Sequence, residues 1–279
     1  MPQALKLLSL PLLLFAATAG AKSHTLVGHD LDVRIDPERE AIAVHDRLDL
    51  PGNLESWEFF LHRDLSPQVV AGTAELTRIG AREHLEHFRL VPSGSTRITL
   101  SYGGRIRHRL EEIREGIGRE RQGSRGVISP NGVVLDGFSG WYPRDPDAMQ
   151  RIDLRVRLPN GWIAVSQGSG PEITESKDGV SVRWHEAKPQ DDLYLVAAPF
   201  ERYARATPNG EAQVYLRRAD PALAESYLAA TDRYLALYST LIGPYPYAKF
   251  ALVENFWDTG FGMPSFTLLG PRVIRLPFI

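Results

Sequence analysis

The sequence predicts a mainly β fold: an N-terminal β-sandwich or saddle, followed by the incomplete start of an α/β unit. Three observations carry that expectation. Apolar residues alternate at period two, as at Leu31, Val33 and Ile35 and again at Ile152, Leu154, Val156 and Leu158. Clusters of Pro, Gly, Asn and Ser interrupt the alternation at short intervals, leaving no room for the long crossover helices of a doubly wound sheet. After Asp220 the spacing of apolar residues changes to three and four, the period of a helix.

The first element in order is not part of the fold. Lys6 precedes an apolar run from Leu7 to Ala19 that closes on the small residues ATAG and AGA. The run is shorter than the roughly 20 residues of a membrane span and reads as a secretory signal peptide over residues 1–21, cleaved after Ala19 or Ala21. The expected product is exported, periplasmic or secreted, with no stable membrane span after cleavage.

A β-rich domain is expected over residues 22–205. HTLVGHDLDVRIDPERE and AIAVHDRLDL form a hairpin with PERE as its turn. Short strands follow at Trp57 to Leu61, Phe88 to Val91 and Arg97 to Tyr102. The segment GGRIRHRLEEIREGIGRERQGSRG is charged and punctuated by Gly, the pattern of an exposed insertion. Its arginines between Arg105 and Arg125 interleave with Glu111, Glu112, Glu115 and Glu120 and with no aromatic residue, so they read as a solvated face and not as a nucleic-acid surface. Strands resume in GVVLDGFSGWYP and in RIDLRVRLPNGW, where one face is dry and a Pro-Asn-Gly turn closes the run. IAVSQGSG, VSVRWHEA, DDLYLVAAPFERYARAT and EAQVYLRRA continue the series.

Residues 206–279 form the last unit. Asp220 and Pro221 suit the N-cap and first position of a helix, Leu223, Tyr227, Leu228, Tyr234, Leu235, Tyr238 and Leu241 give its apolar stripe, and Gly243-Pro244 stops it. The tyrosines are expected to pack and hydrogen-bond. YPYAKFALVEN reads as a strand, DTGFGMPSFTLLG as a Gly-rich loop entering another strand, and VIRLPFI as extended chain. The helix and these strands are expected to have little else to pack against.

Composition narrows the chemistry. The 279 residues are 43% hydrophobic and 24% charged, as in a globular protein, and 32 Lys+Arg against 34 Asp+Glu leave a net charge of -2, which offers nucleic acid no general basic field. The absence of Cys removes disulfides and thiolate chemistry and restricts metal ligands to His, Asp and Glu. None of the eight His lies in HExxH: His185-Glu186 runs into Ala187, Lys188 and Pro189. His84 and His87 have a spacing compatible with a helical or loop metal pair, yet no third ligand is evident, so an exposed or partly packed pair is the expectation. GxSxG, Walker and dinucleotide-binding patterns are absent, and Ser139 in GFSGW reads as a turn serine.

Taken in order, Trp141-Tyr142-Pro143, RIDLRVRLPNGWIAVSQG, IGPYPYAKFALVEN and TGFGMPSFTLLG resemble the N-terminal half of the M1 peptidase family, the gluzincin zinc aminopeptidases, over residues 24–279. The resemblance implies a β-saddle domain covering a thermolysin-like domain that begins at residue 206. In such enzymes the GxMEN loop lies along the cleft as extended backbone, and its Glu grips the substrate's free amine. Gly260, Phe261, Gly262, Met263, Pro264 and Ser265 stand at that motif and are the implied substrate-binding residues. Met263 is retained, but Pro264 replaces the Glu and Ser265 the Asn, so the amine anchor is missing. Glu254 is a minor candidate to replace it, and Arg272 or Arg275 would line the cleft or the surface.

HExxH and the distal Glu ligand do not occur in the sequence, so no catalytic or metal residue is assigned. The expectation is a fragment whose longer parent binds zinc and hydrolyses peptides, the chain alone binding no zinc and being inactive. The competing expectation is a non-catalytic secreted β-sandwich serving as a binding or scaffold module.

Overall fold

The computed structural model describes residues 25–108, 125–258 and 260–276; the expected signal peptide and most of the Arg-rich insertion lie outside the described residues. Strands β1 (Thr25–Asp36) and β2 (Ala41–Asp49) form the hairpin expected around PERE. Their alternation buries Val27, Leu31, Val33 and Ile35 on one strand and Ile42, Val44 and Leu48 on the other. The chain continues through β3 (Trp57–His62), β4 (Gln68–Ala71), β5 (Ala74–Arg82), β6 (Leu85–Pro92) and β7 (Arg97–Arg105). The weakly alternating β4 and β5, which the sequence pattern does not single out, are mostly exposed.

Next come β8 (Val127–Ser129), β9 (Gly132–Leu135) and a 3-10 turn at Gly137–Ser139 that holds Ser139 as a turn residue. They are followed by β10 (Ala148–Leu158), β11 (Ile163–Val165), β12 (Ser169–Ser176), β13 (Gly179–Gln190) and β14 (Leu195–Ala198). β10 keeps the dry face read from its sequence: Ile152, Leu154, Val156 and Leu158 are buried between exposed arginines.

These strands form three sheets. The seven-stranded sheet has the order β12-β13-β10-β1-β2-β7-β4, with β1 and β10 parallel at its centre. A four-stranded sheet runs β11-β14-β9-β8, and a three-stranded one runs β3-β6-β5. Trp57, Phe59, Trp141, Tyr142 and Trp184 fill the interior.

A fourth sheet begins with β15 (Glu201–Thr207) and β16 (Gly210–Leu216), so sheet membership changes at Pro199-Phe200. Helix α1 (Pro221–Ile242) follows, with the Asp220 carboxylate accepting from the Leu223 N–H at 3.0 Å and Pro221 in its first turn. β17 (Lys249–Glu254), β18 (Gly260–Met263) and β19 (Phe266–Leu269) complete the sheet in the order β15-β16-β17-β19-β18. β16, β17 and β19 are parallel, with α1 as the crossover between the first two.

Two expectations for this region are corrected. The helix and strands do have partners, because the parallel strands are buried on both faces. Tyr215, Ala251, Val253, Phe266 and Leu268 join the core of the β-domain, while Ala212, Val214, Leu216 and Leu252 meet Ala224, Tyr227 and Leu228 of α1. VIRLPFI is not extended throughout: Val273–Arg275 is a 3-10 turn that buries Ile274. Of the helix tyrosines, Tyr227 is buried and donates to the Ile274 carbonyl at 2.8 Å, whereas Tyr234 and Tyr238 are exposed and stack on each other. Leu235, between them in the chain, is buried.

Candidate functional site

The segment expected to be a Gly-rich loop is a hairpin. Gly260 to Met263 form β18, the terminal strand of the fourth sheet, paired antiparallel with β19 from Gly260↔Leu269 to Met263↔Phe266. Alternation turns Phe261 and Met263 toward the main core, against which both are partly buried. Gly260 and Gly262 are exposed, and a Cβ built on either meets nothing within 4 Å. Neither has a positive φ, so neither glycine is required by the backbone or by crowding. Their effect is a terminal strand with no side chains on its exposed face, the kind of place where another backbone can approach closely.

Pro264 and Ser265 make the turn between β18 and β19. Pro at the first central position and a left-handed residue at the second follow the type II pattern, and Ser265 has φ 66°. Ser265 is buried, and its Oγ accepts from the Gly168 N–H at 3.3 Å and from Lys249 Nζ at 2.8 Å. The six sequence-nominated residues are therefore contiguous in space, as edge strand and turn, and no carboxylate stands at Pro264.

Glu254 ends β17 and is 3% exposed. Its Oε2 accepts from the Arg217 N–H at 2.8 Å, and its Oε1 is ion-paired with Arg275. With both oxygens engaged, it is poorly suited to grip a substrate amine. Arg275 and Arg272 do line a hollow, of about 520 Å³, together with Arg217, Arg218 and Asn255 at the carboxyl ends of the parallel strands. Arg272 is ion-paired with Asp258 there.

His84 and His87 have separate partners. His84 lies in the turn before β6 and His87 on β6, where Leu85 pairs with His62 and Arg82, so the expected partly packed pair sits on a turn and a strand. His87 stacks on Phe60 and faces Glu58, while His84 Nε2 donates to the Phe138 carbonyl at 2.8 Å and packs against His62. Burial pushes His62 down to about 4 and His84 in the same direction. Among the described residues no group of three or more His, Asp or Glu is placed to hold a metal ion. These residues do not fit a zinc centre.

Lys249 was missed by the motif reading. It is 1% exposed, beneath the Pro264-Ser265 turn. The available signal was period two within β17, which places Lys249 on the same inward face as Ala251 and Val253.

Solved structures share this architecture. The M1 zinc metallopeptidase from Deinococcus radiodurans matches with TM-score 0.62 and 18% identity, over 88% of this chain and 60% of that one. A point variant of the Deinococcus radiodurans enzyme, bound to a Tyr-Ser-Ala substrate, matches with TM-score 0.61 and 17% identity, over 90% of this chain and 61% of that one. A variant described as a two-domain M1 zinc metallopeptidase, bound to L-arginine, gives TM-score 0.58 and 17% identity, with 88% and 60% covered. No protein-family model and no curated protein sequence matches the chain.

Proposed function

We propose that the chain, which has the fold seen in M1 zinc metallopeptidases and spans about 60% of the length of those it matches, is part of an exported, M1-like zinc peptidase and forms one wall of its substrate cleft. In this reading a peptide adds to the edge of β18 as an extra antiparallel or parallel strand, held by main-chain hydrogen bonds. The observation that carries the reading is the lack of side chains at Gly260 and Gly262, with open space beside both, on a sheet-terminal strand. Because Pro264 offers no carboxylate and Glu254 is engaged by Arg217 and Arg275, recognition of the peptide does not depend on its free amine. Zinc, and the general base that works with it, come in this proposal from residues of a longer parent, and the chain alone is inactive.

The test is titration of the chain with a fluorescent tripeptide, once with a free and once with an acetylated N-terminus. Both forms should bind with affinities within about threefold, since 1.4 kcal/mol per tenfold leaves no room for an ammonium–carboxylate pair. Absence of binding, or binding of the free-amine form alone, overturns the cleft reading or its amine-independence respectively. The parent reading is checked in the reading frame after Ile279: an HExxH followed by a further Glu is expected within about 60 residues. Its absence would leave the secreted binding-module reading.

A further inference from the structure

Three sheets meet at the Lys249 amine. Nζ donates to the Ser166 carbonyl at 2.8 Å, to the Ser265 carbonyl at 3.1 Å and to Ser265 Oγ at 2.8 Å. Ser166 follows β11 of the four-stranded sheet, and Ser265 is the turn of the β18–β19 hairpin. The rings of Trp184, on β13 of the seven-stranded sheet, and of Phe266 lie 4.9 and 5.1 Å from the nitrogen. Three acceptors match the three N–H bonds of an ammonium, and the two aromatic faces complete its surroundings.

This is a costly way to fill space. The ammonium's three hydrogen bonds go to neutral oxygens, and burial pushes Lys249 well below its usual value against the weaker attraction of Glu186 and Glu211. An apolar side chain would pack there at lower cost, but it would leave the Ser166 and Ser265 carbonyls without this donor. What the amine adds is position. Among the described residues β18 pairs within its sheet with β19 alone, over four residue pairs, so its placement relative to the β-domain rests on the packing of Phe261 and Met263 and on the turn at its end. That turn contains a non-glycine residue in the left-handed region, and its hydroxyl is held from both sides, by Lys249 and by Gly168.

We infer that Lys249 is a positioning residue: through Ser265 it fixes the β18–β19 turn against the β-domain and so sets where the edge strand stands for an incoming peptide. The inference rests on the peptide-cleft reading, and the experiment separates the two.

Ser265→Gly removes the hydroxyl while retaining a residue that tolerates φ 66°. Lys249→Met removes the donors at similar length. Three measurements are made on each full chain: affinity for the fluorescent tripeptide, melting temperature, and amide hydrogen exchange across residues 260–269 compared with β13. Ser265→Gly should bind the tripeptide about tenfold more weakly with its melting temperature nearly unchanged. Exchange should quicken across residues 260–269 and not in β13. Lys249→Met should show the same local exchange and affinity loss, with a lower melting temperature.

Unchanged exchange in both variants overturns the positioning role, whatever the peptide does. So does a tripeptide affinity within about twofold of the parent chain in both. If the parent chain binds no peptide, the cleft reading fails, while faster exchange confined to 260–269 still upholds the anchoring of the turn by Lys249.

Discussion

His62 illustrates how a single buried side chain makes stability depend on pH. Its Nδ1 accepts from the Asp64 N–H at 3.2 Å, and burial favours the neutral ring, lowering it to about 4 against 6.5 for the unperturbed group. The unfolded chain therefore takes up a proton at a pH where the folded one does not. The His62 contribution is fully present above about pH 6.5, declines as the pH falls, and is spent near pH 4, amounting to a few kcal/mol at most. His84, shifted in the same direction, adds to the slope. The melting temperature of His62→Gln should thus fall less steeply than that of the parent chain between pH 6.5 and 4. Parallel curves for the two proteins would contradict the assignment. At the same scale, Ser265 and Lys249 show why residue type alone misleads. Serine in GMPSF looks like an ordinary turn residue, and only its hydrogen bonds with Lys249 and Gly168 mark it out as an anchor point.

Among the elements, β18 is the one whose sequence is least typical of its structure. Two glycines in a four-residue strand weaken β propensity, and the segment accordingly reads as a loop until pairing with β19 is seen. Because a Cβ at position 262 meets nothing and the backbone there is ordinary, Gly262→Val should fold normally, with stability within about 1 kcal/mol of the parent. In the proposed cleft the added side chain would stand where a peptide approaches, so tripeptide affinity should fall about tenfold. Unaltered affinity, measured by the same fluorescence titration, would argue that peptides do not use this edge. Helix α1, by contrast, is legible at both ends. Its Asp220 cap and Pro221 start are local signals, and Gly243 follows its last residue.

For the whole molecule, the consequential feature is that one core runs from the β-domain into the inner face of the fourth sheet, from Trp57 and Trp184 to Val253, Phe266 and Leu268. Such a shared core ties the edge strand mechanically to the β-domain, which suits the cleft wall proposed above, whose shape must be set in advance. The export proposed for this protein is checked at the same scale. Mature protein recovered from the producing cells should begin at Gly20 or Lys22, and N-terminal sequencing that finds an intact Met1 on all of it would sink the proposal.

What the sequence by itself determined is local and periodic. Alternation at period two placed β1, β2 and β10, the cap and the stripe placed α1, and the order of short motifs suggested the fold that solved structures share. The tertiary structure alone decided which faces are covered and which partners polar groups find. It made EHLEHF a turn and strand, gave Glu254 to Arg275, exposed Tyr234 and Tyr238, and put an ammonium at the meeting of three sheets. The reason is physical: periodicity records which face of a strand or helix is apolar, whereas the partner of a buried charge is selected by contacts between residues far apart in the chain, as Ser166 and Lys249 are.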